Sequence, residues 1–158
     1  MLKKAKKILV VDDDPDHQKR TKELLLKGRF KAIPCLIAKE CLDMALRERP
    51  DAILMDVILP DGDGKELARQ LMRDKQTAGI PIIFATNTVG LQEDKGDESF
   101  EIDGKICRAF AKPFHKEKIL SVLRKEIARA QSGGELPQPV LRKADKRRAT
   151  KKEGIPHT

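Results

Sequence analysis

The chain has few of the residues on which many binding sites depend. Its 158 residues include no tryptophan and no tyrosine, and only three histidines and three cysteines. The histidines are scattered, at positions 17, 115 and 157, so a zinc site is not expected. Cys35, Cys41 and Cys107 lack the close spacing of a metal knuckle or a redox motif. We therefore expect three buried thiols that act as small hydrophobic residues.

Long hydrophobic runs are also missing. The only apolar stretch near the N-terminus, Ile8 to Val11, is too short for a signal-peptide core or a membrane span. A cytoplasmic location is the resulting expectation. The 39% of hydrophobic residues is enough to cover one five-stranded sheet on both faces.

Short β-rich runs alternate with longer amphipathic stretches, a pattern that predicts βα units and a parallel sheet. Strands are predicted near 7–12, 31–37, 52–57, 81–86 and 107–112. Helices are predicted near 14–28, 39–48, 63–75 and 115–131. Asp14 and Pro15 form a favourable start for the first helix, and Leu24, Leu25 and Leu26 are expected to supply its buried side.

The segment 89–106 interrupts this alternation. It contains two glycines before residue 100 and almost no apolar periodicity, so a good helix is not expected there. Asp103-Gly104 suits the two-residue turn of a β-hairpin. The prediction is an acidic mobile loop followed by a small hairpin, and a frayed fourth helix is the alternative.

Residues 132–158 have the composition of a linker and a tail. They begin with Ser132-Gly133-Gly134 and carry seven basic and three acidic side chains, half of the formal net charge of +8. We expect a domain over 1–131 and a flexible basic tail over 132–158. The tail indicates either a solvated segment or a contact with nucleic-acid phosphates.

Polar or charged residues stand where four of the predicted strands end. They are Asp12, Asp13, Asp56, Thr86 and Lys112. The carboxyl ends of parallel strands meet at one edge of the sheet, so these side chains are expected to share a crevice. Three carboxylates, a hydroxyl and an ammonium suit a divalent cation and a phosphoryl group.

Each residue type fits one part of a phosphoryl transfer. A carboxylate can attack phosphorus to form an acyl phosphate, and Asp56 is the predicted nucleophile. Asp12 and Asp13 would hold Mg²⁺, directly or through water. Lys112 would pair with one phosphoryl oxygen, and the Thr86 hydroxyl would donate a hydrogen bond to another.

Four segments that carry these residues resemble the signature segments of a response-regulator receiver domain. They are VVDDDP at 10–15, MDVILPDGDG at 55–64, PIIFAT at 81–86 and AKPF at 111–114. The resemblance covers about residues 6–130. It implies a flavodoxin-like, doubly wound, five-stranded parallel sheet of order 2-1-3-4-5, and a cis peptide between Lys112 and Pro113.

The resemblance also implies how the protein works. Asp56 would accept phosphate from the phosphohistidine of a histidine kinase or a phosphotransfer protein. The required Mg²⁺ would gain a further ligand from the Ile58 backbone carbonyl. The domain would take part in its own phosphorylation without being an enzyme for a separate substrate, and its output would be a protein–protein contact.

Three positions depart from the family pattern. Ile58 and Asn87 replace residues that are often polar and small respectively, and both changes suggest a slowly exchanging phosphoryl group. Ala109 stands where many receivers have an aromatic residue that swings inward, and strand alternation points Phe110 to the other face. These departures keep open an alternative, a degenerate receiver-like binding module that phosphate does not switch.

Overall fold

The computed structural model contains a mixed β-sheet with helices on both faces. It describes residues 4–86, 98–112 and 115–132. The strands are β1 (Lys6–Val11), β2 (Phe30–Cys35), β3 (Ala52–Asp56), β4 (Ile58–Leu59), β5 (Gly62–Asp63), β6 (Ile82–Thr86), β7 (Glu98–Ile102) and β8 (Lys105–Ala111). The helices are α1 (Pro15–Lys27), α2 (Cys41–Glu48), α3 (Gly64–Arg73) and α4 (Lys116–Gln131), with a 3₁₀ turn at Ala38–Glu40.

The central sheet has the order β2-β1-β3-β6-β8-β7, and its first five strands are parallel. This confirms the predicted doubly wound order 2-1-3-4-5. A small antiparallel pair, β4 with β5, lies between β3 and α3. Strand β1 lies between β2 and β3, so its carboxyl end is close to the loops that follow both neighbours.

The predicted hairpin is also confirmed. Strand β7 pairs antiparallel with β8, and Ile102 lies opposite Lys105. Asp103 and Gly104 have φ angles of 49° and 81°, the two positive values that a type I′ turn requires. The frayed-helix alternative is therefore wrong over 98–106, where the chain forms β7, the turn and the start of β8. The acidic stretch 89–97 lies outside the described residues.

Strand alternation divides the core between the two faces of the sheet. One cluster packs Leu9, Val11, Met55, Phe84 and Ala109 against α2 and α3. The other packs Ile8, Val10, Leu54, Ile83 and Phe110 against α1 and α4. Neighbouring residues of one strand thus face opposite layers. The expected orientation of Phe110, away from the face that holds Ala109, is confirmed.

Helix α1 corrects one expectation. Leu25 is fully buried and Leu24 partly buried, but Leu26 is 68% exposed. Three consecutive residues cover more of a helix circumference than one packed face can bury. The buried face instead carries Gln18, Thr21 and Leu25, at helical spacing.

The three cysteines are free and buried, as predicted. A hydrogen bond between Cys35 and Cys41 lowers the pKa of Cys35; the same bond, together with burial, raises the pKa of Cys41. Burial raises the pKa of the Cys107 thiol to about 11.

Within the described ranges, no helix has the length and apolarity needed to cross a membrane. The Lys112–Pro113 bond, Asn87 and the basic tail beyond Ser132 lie outside those ranges.

Gly64, the first residue of α3, allows the chain to pass close to the end of β3. Its N–H donates to the Val57 carbonyl at 2.7 Å. A Cβ atom at this position would lie 2.1 Å from the Asp56 carbonyl oxygen. Only glycine therefore fits without a shift of the backbone that carries Asp56.

We predict that Gly64→Ala lowers the free energy of unfolding by about 1–3 kcal/mol, because the added methyl group must displace backbone atoms. Gly79→Ala is the matched control, since a Cβ there would meet nothing within 4 Å and should change stability by less than about 0.5 kcal/mol. Urea unfolding measures both variants. Equal stability of the two would contradict the close approach at Gly64.

Candidate functional site

The carboxyl ends of β1, β3 and β8 bring four of the predicted residues together. Asp12 and Asp13 follow β1, Asp56 is the last residue of β3, and Lys112 follows β8. One carboxylate oxygen from each of the three aspartates lies within 4.8 Å of the others. Asp12 is buried, Asp56 is partly buried and Asp13 is exposed, so the cluster opens to solvent on the Asp13 side.

Lys112 neutralises part of this negative charge. Its Nζ atom lies 2.5 Å from Asp12 Oδ2 and 3.0 Å from Asp56 Oδ2. The lysine side chain is only 8% exposed. A buried ammonium is strongly disfavoured unless opposite charges and hydrogen bonds compensate it, and the two carboxylates supply both.

A chain of local hydrogen bonds fixes the loop after β1. The Asp14 N–H donates to Asp12 Oδ1 at 3.0 Å, and Asp14 Oδ1 accepts from the N–H groups of Asp16 and His17 at 2.9 and 3.4 Å. These bonds confirm the prediction that Asp14 is the N-cap of α1. The Asp16 N–H contributes most to a lowered pKa of the Asp14 carboxyl. The helix start and the acidic cluster are therefore built as one unit.

Gln18 supports the same loop from inside the protein. Its side-chain Nε2 donates to the carbonyls of Val10 and Asp12 at 2.7 and 3.0 Å. The Asp12 N–H in turn donates to the carbonyl of Cys35 at the end of β2. Sequence reasoning missed Gln18. A polar residue on the buried helical face with Thr21 and Leu25 was the signal that could have shown it.

Asp61 joins the loop after β3 to the loop after β2. Its carboxylate accepts hydrogen bonds from the N–H groups of Ala38 and Lys39 at 2.9 and 3.2 Å. The Ala38 N–H is the main cause of a lowered pKa at Asp61. Sequence reasoning also missed this role, because the partner loop lies more than twenty residues away.

The structure places the other predicted residues as follows. The Ile58 N–H donates to Asp56 Oδ1 at 3.2 Å, and the Ile58 side chain is 66% exposed beside the acidic cluster. Thr86 is the last residue of β6 and pairs with Ala111 of β8. Its backbone thus ends at the same sheet edge, and its side chain lies outside the described atoms.

The arrangement combines hard oxygen ligands with one fixed cation. Carboxylate oxygens are the ligands that Mg²⁺ prefers in proteins, and the three aspartates fit that preference. The ammonium of Lys112 directly adjoins Asp56, where it can neutralise charge on an incoming anion.

A family model described as the response regulator receiver domain matches residues 8–124 of this chain. The chain belongs to this family. Protein PilH of Pseudomonas aeruginosa is 29% identical over 125 residues, which span 77% of this chain and 98% of PilH. The polar-differentiation response regulator DivK of Brucella anthropi is 29% identical over 125 residues, which span 79% of this chain and 98% of DivK.

A solved structure supports the same assignment. The receiver domain of the sensor histidine kinase PA1611 from Pseudomonas aeruginosa has a magnesium ion coordinated in its active-site cleft. It matches this chain with a TM-score of 0.66 at 27% identity, over 78% of this chain and 98% of that domain. Receiver domains are signalling modules of two-component systems, and this chain has a cluster of three aspartates at one edge of its sheet.

The receiver domain should depend on Gln18 for its stability. We expect Gln18→Leu to lower the free energy of unfolding by about 1–3 kcal/mol, because buried carbonyls lose their donor. Lys22→Leu places the same side chain at an exposed position of α1 and should have an effect below about 0.5 kcal/mol. Urea unfolding compares the two variants. If the free energy of unfolding falls as little in Gln18→Leu as in Lys22→Leu, the hydrogen bonds of Gln18 add little to stability.

Proposed function

We propose that Asp56 accepts a phosphoryl group from the phosphohistidine of a histidine kinase or a phosphotransfer protein. The observation that carries this proposal is the contact of Lys112 Nζ with both Asp56 Oδ2 and Asp12 Oδ2. The contact joins a nucleophile, a second carboxylate and a cation at one sheet edge. These are the parts that phosphoryl transfer to a carboxylate needs.

In the proposed step an Asp56 carboxylate oxygen attacks phosphorus and the bond from phosphorus to the donor imidazole nitrogen breaks. Lys112 pairs with a phosphoryl oxygen as charge gathers on it, and the Thr86 hydroxyl donates to a second oxygen. The Ile58 N–H, already bonded to Asp56 Oδ1, orients the carboxylate. The product is an acyl phosphate on Asp56.

The site residues also fit a magnesium ion. Asp12, Asp13 and Asp56 would hold it, with the Ile58 backbone carbonyl as a further ligand. Bound there, Mg²⁺ would neutralise charge on the phosphoryl oxygens. A cluster of three carboxylates with one ammonium has a net negative charge, which favours a divalent cation.

The output of the phosphorylated domain is proposed to be a contact with another protein. The described residues form one receiver sheet with a core cluster on each face, and Ala109, in the cluster beside α2 and α3, offers no aromatic ring that could move on activation. The exposed side chain of Ile58 beside Asp56 supports the earlier expectation of a slowly exchanging phosphoryl group.

Phosphorylation of Asp56 can be tested by intact-mass spectrometry after incubation with a small acyl phosphate and Mg²⁺. We expect one phosphoryl adduct on the wild type and none on Asp56→Asn, because the amide is not a nucleophile. Asp43→Asn, an exposed aspartate of α2, is the matched control and should be modified like the wild type.

EDTA should abolish the adduct on the wild type, since the carboxylates and phosphoryl oxygens would then repel each other. An adduct that persists on Asp56→Asn would show that another residue is the acceptor. No adduct on the wild type would favour the alternative of a binding module that phosphate does not switch.

Magnesium binding should stabilise the folded domain through Asp13. At a Mg²⁺ concentration of about one hundred times Kd, the free energy of unfolding of the wild type should rise by about 2.7 kcal/mol. Asp13→Asn should lose most of this increment and be at least as stable as the wild type without metal, because carboxylate repulsion falls. Thermal unfolding with and without MgCl₂ measures both. An undiminished increment in Asp13→Asn would remove Asp13 from the ligand set.

A further inference from the structure

His17 places a ring nitrogen against the lysine of the site. It is the third residue of α1, and its Nδ1 atom lies 3.3 Å from Lys112 Nζ. The imidazole is 26% exposed, so it is partly accessible to solvent. His17 is not a member of the acidic cluster, although its Nδ1 atom lies 3.6 Å from Asp12 Oδ2.

Donor and acceptor geometry gives this contact a direction. An ammonium has three N–H donors and no acceptor, so a hydrogen bond between the two groups has His17 Nδ1 as its acceptor, in the ring tautomer that carries its proton on Nε2. Asp12 Oδ2 and Asp14 Oδ2 are both 3.6 Å from Nδ1, beyond the 3.3 Å of the lysine contact. Lys112 therefore has three acceptors among the described residues: Asp12 Oδ2, Asp56 Oδ2 and His17 Nδ1.

The loop after β1 fixes the backbone that carries the imidazole. The His17 N–H donates to the N-cap carboxylate of Asp14, and the Asp14 N–H donates to Asp12 Oδ1. The same short segment thus positions two of the three acceptors of Lys112. These bonds fix the backbone from which the imidazole projects, and the Nδ1 contact with Lys112 sets the orientation of the ring.

We propose that His17 is a positioning residue, which holds the Lys112 ammonium toward the phosphoryl group during transfer to Asp56. This inference rests on the proposed function. As the Asp56 oxygen bonds to phosphorus, Asp56 loses the carboxylate charge that attracts Lys112. His17 Nδ1 takes no part in that bond change, so it remains an acceptor and keeps the ammonium at the crevice.

Two substitutions distinguish the loss of the hydrogen-bond acceptor from a change in the size of the side chain. In His17→Asn, Oδ1 is attached to Cγ as Nδ1 is in histidine, so the acceptor is retained. His17→Leu has a carbon atom at that place and cannot accept a hydrogen bond. Lys22→Leu, exposed on the same helix, controls for a leucine introduced into α1.

The first measurement is the hydrogen-exchange rate of the Lys112 ammonium, by ¹⁵N NMR of the metal-free, unphosphorylated chain, with Lys112→Arg to assign the signal. We expect exchange about three- to tenfold faster in His17→Leu, and within about twofold of the wild type in His17→Asn and Lys22→Leu. Equal rates in His17→Leu and the wild type would overturn the inference.

The second measurement is the rate of phosphoryl adduct formation with a small acyl phosphate and saturating Mg²⁺. We expect a loss of about three- to tenfold in His17→Leu and recovery to within about twofold of the wild type in His17→Asn. Equal slowing of both variants, or no slowing of either, would overturn the role of His17 and leave the proposed phosphorylation of Asp56 standing. No adduct on the wild type would overturn the proposed function and the role of His17 with it.

Discussion

Two carboxylates from other strands compensate the charge of one buried ammonium. The geometry of the site in this receiver domain depends on that contact. Lys112 meets Asp12 and Asp56 because β1, β3 and β8 are parallel and end at the same edge of the sheet. Without the lysine, two partly desolvated carboxylates would repel each other; without them, the ammonium would be buried alone. The strand order and the charge balance therefore depend on each other.

Close backbone contacts around the crevice turn this balance into a fixed geometry. Gly64 lets the start of α3 pass directly beside Asp56, and Gln18 ties the end of β1 from within. Asp61 links the loops that follow β2 and β3. Each support is a hydrogen bond or a steric fit to the backbone, so these contacts fix the loops that carry the crevice side chains. A preorganised polar site of this kind needs little rearrangement when charge develops.

Much of this arrangement could be predicted from the sequence, because strand periodicity and the residues at strand ends are local signals. The hairpin at Asp103 and the meeting of Asp12, Asp56 and Lys112 agree with those signals, whereas the strand order agrees with what the resemblance to receiver domains implies. Gln18, Asp61 and His17 were missed, since their roles depend on which loops become neighbours in space. Leu26 was assigned wrongly because hydrophobicity alone does not show where the edge of a helical face lies.

The separation of Asp12 and Lys112 by 100 residues has a consequence for biosynthesis. A chain emerging from the ribosome contains β1, α1, β2 and β3 long before β8 is made. During that interval the acidic edge has no lysine to neutralise it, and the exposed flank of β6 has no partner. Strand β8 thus supplies both the missing hydrogen bonds and, through the lysine that follows it, the missing charge. Completion of the parallel part of the sheet and assembly of the acidic crevice are the same late event.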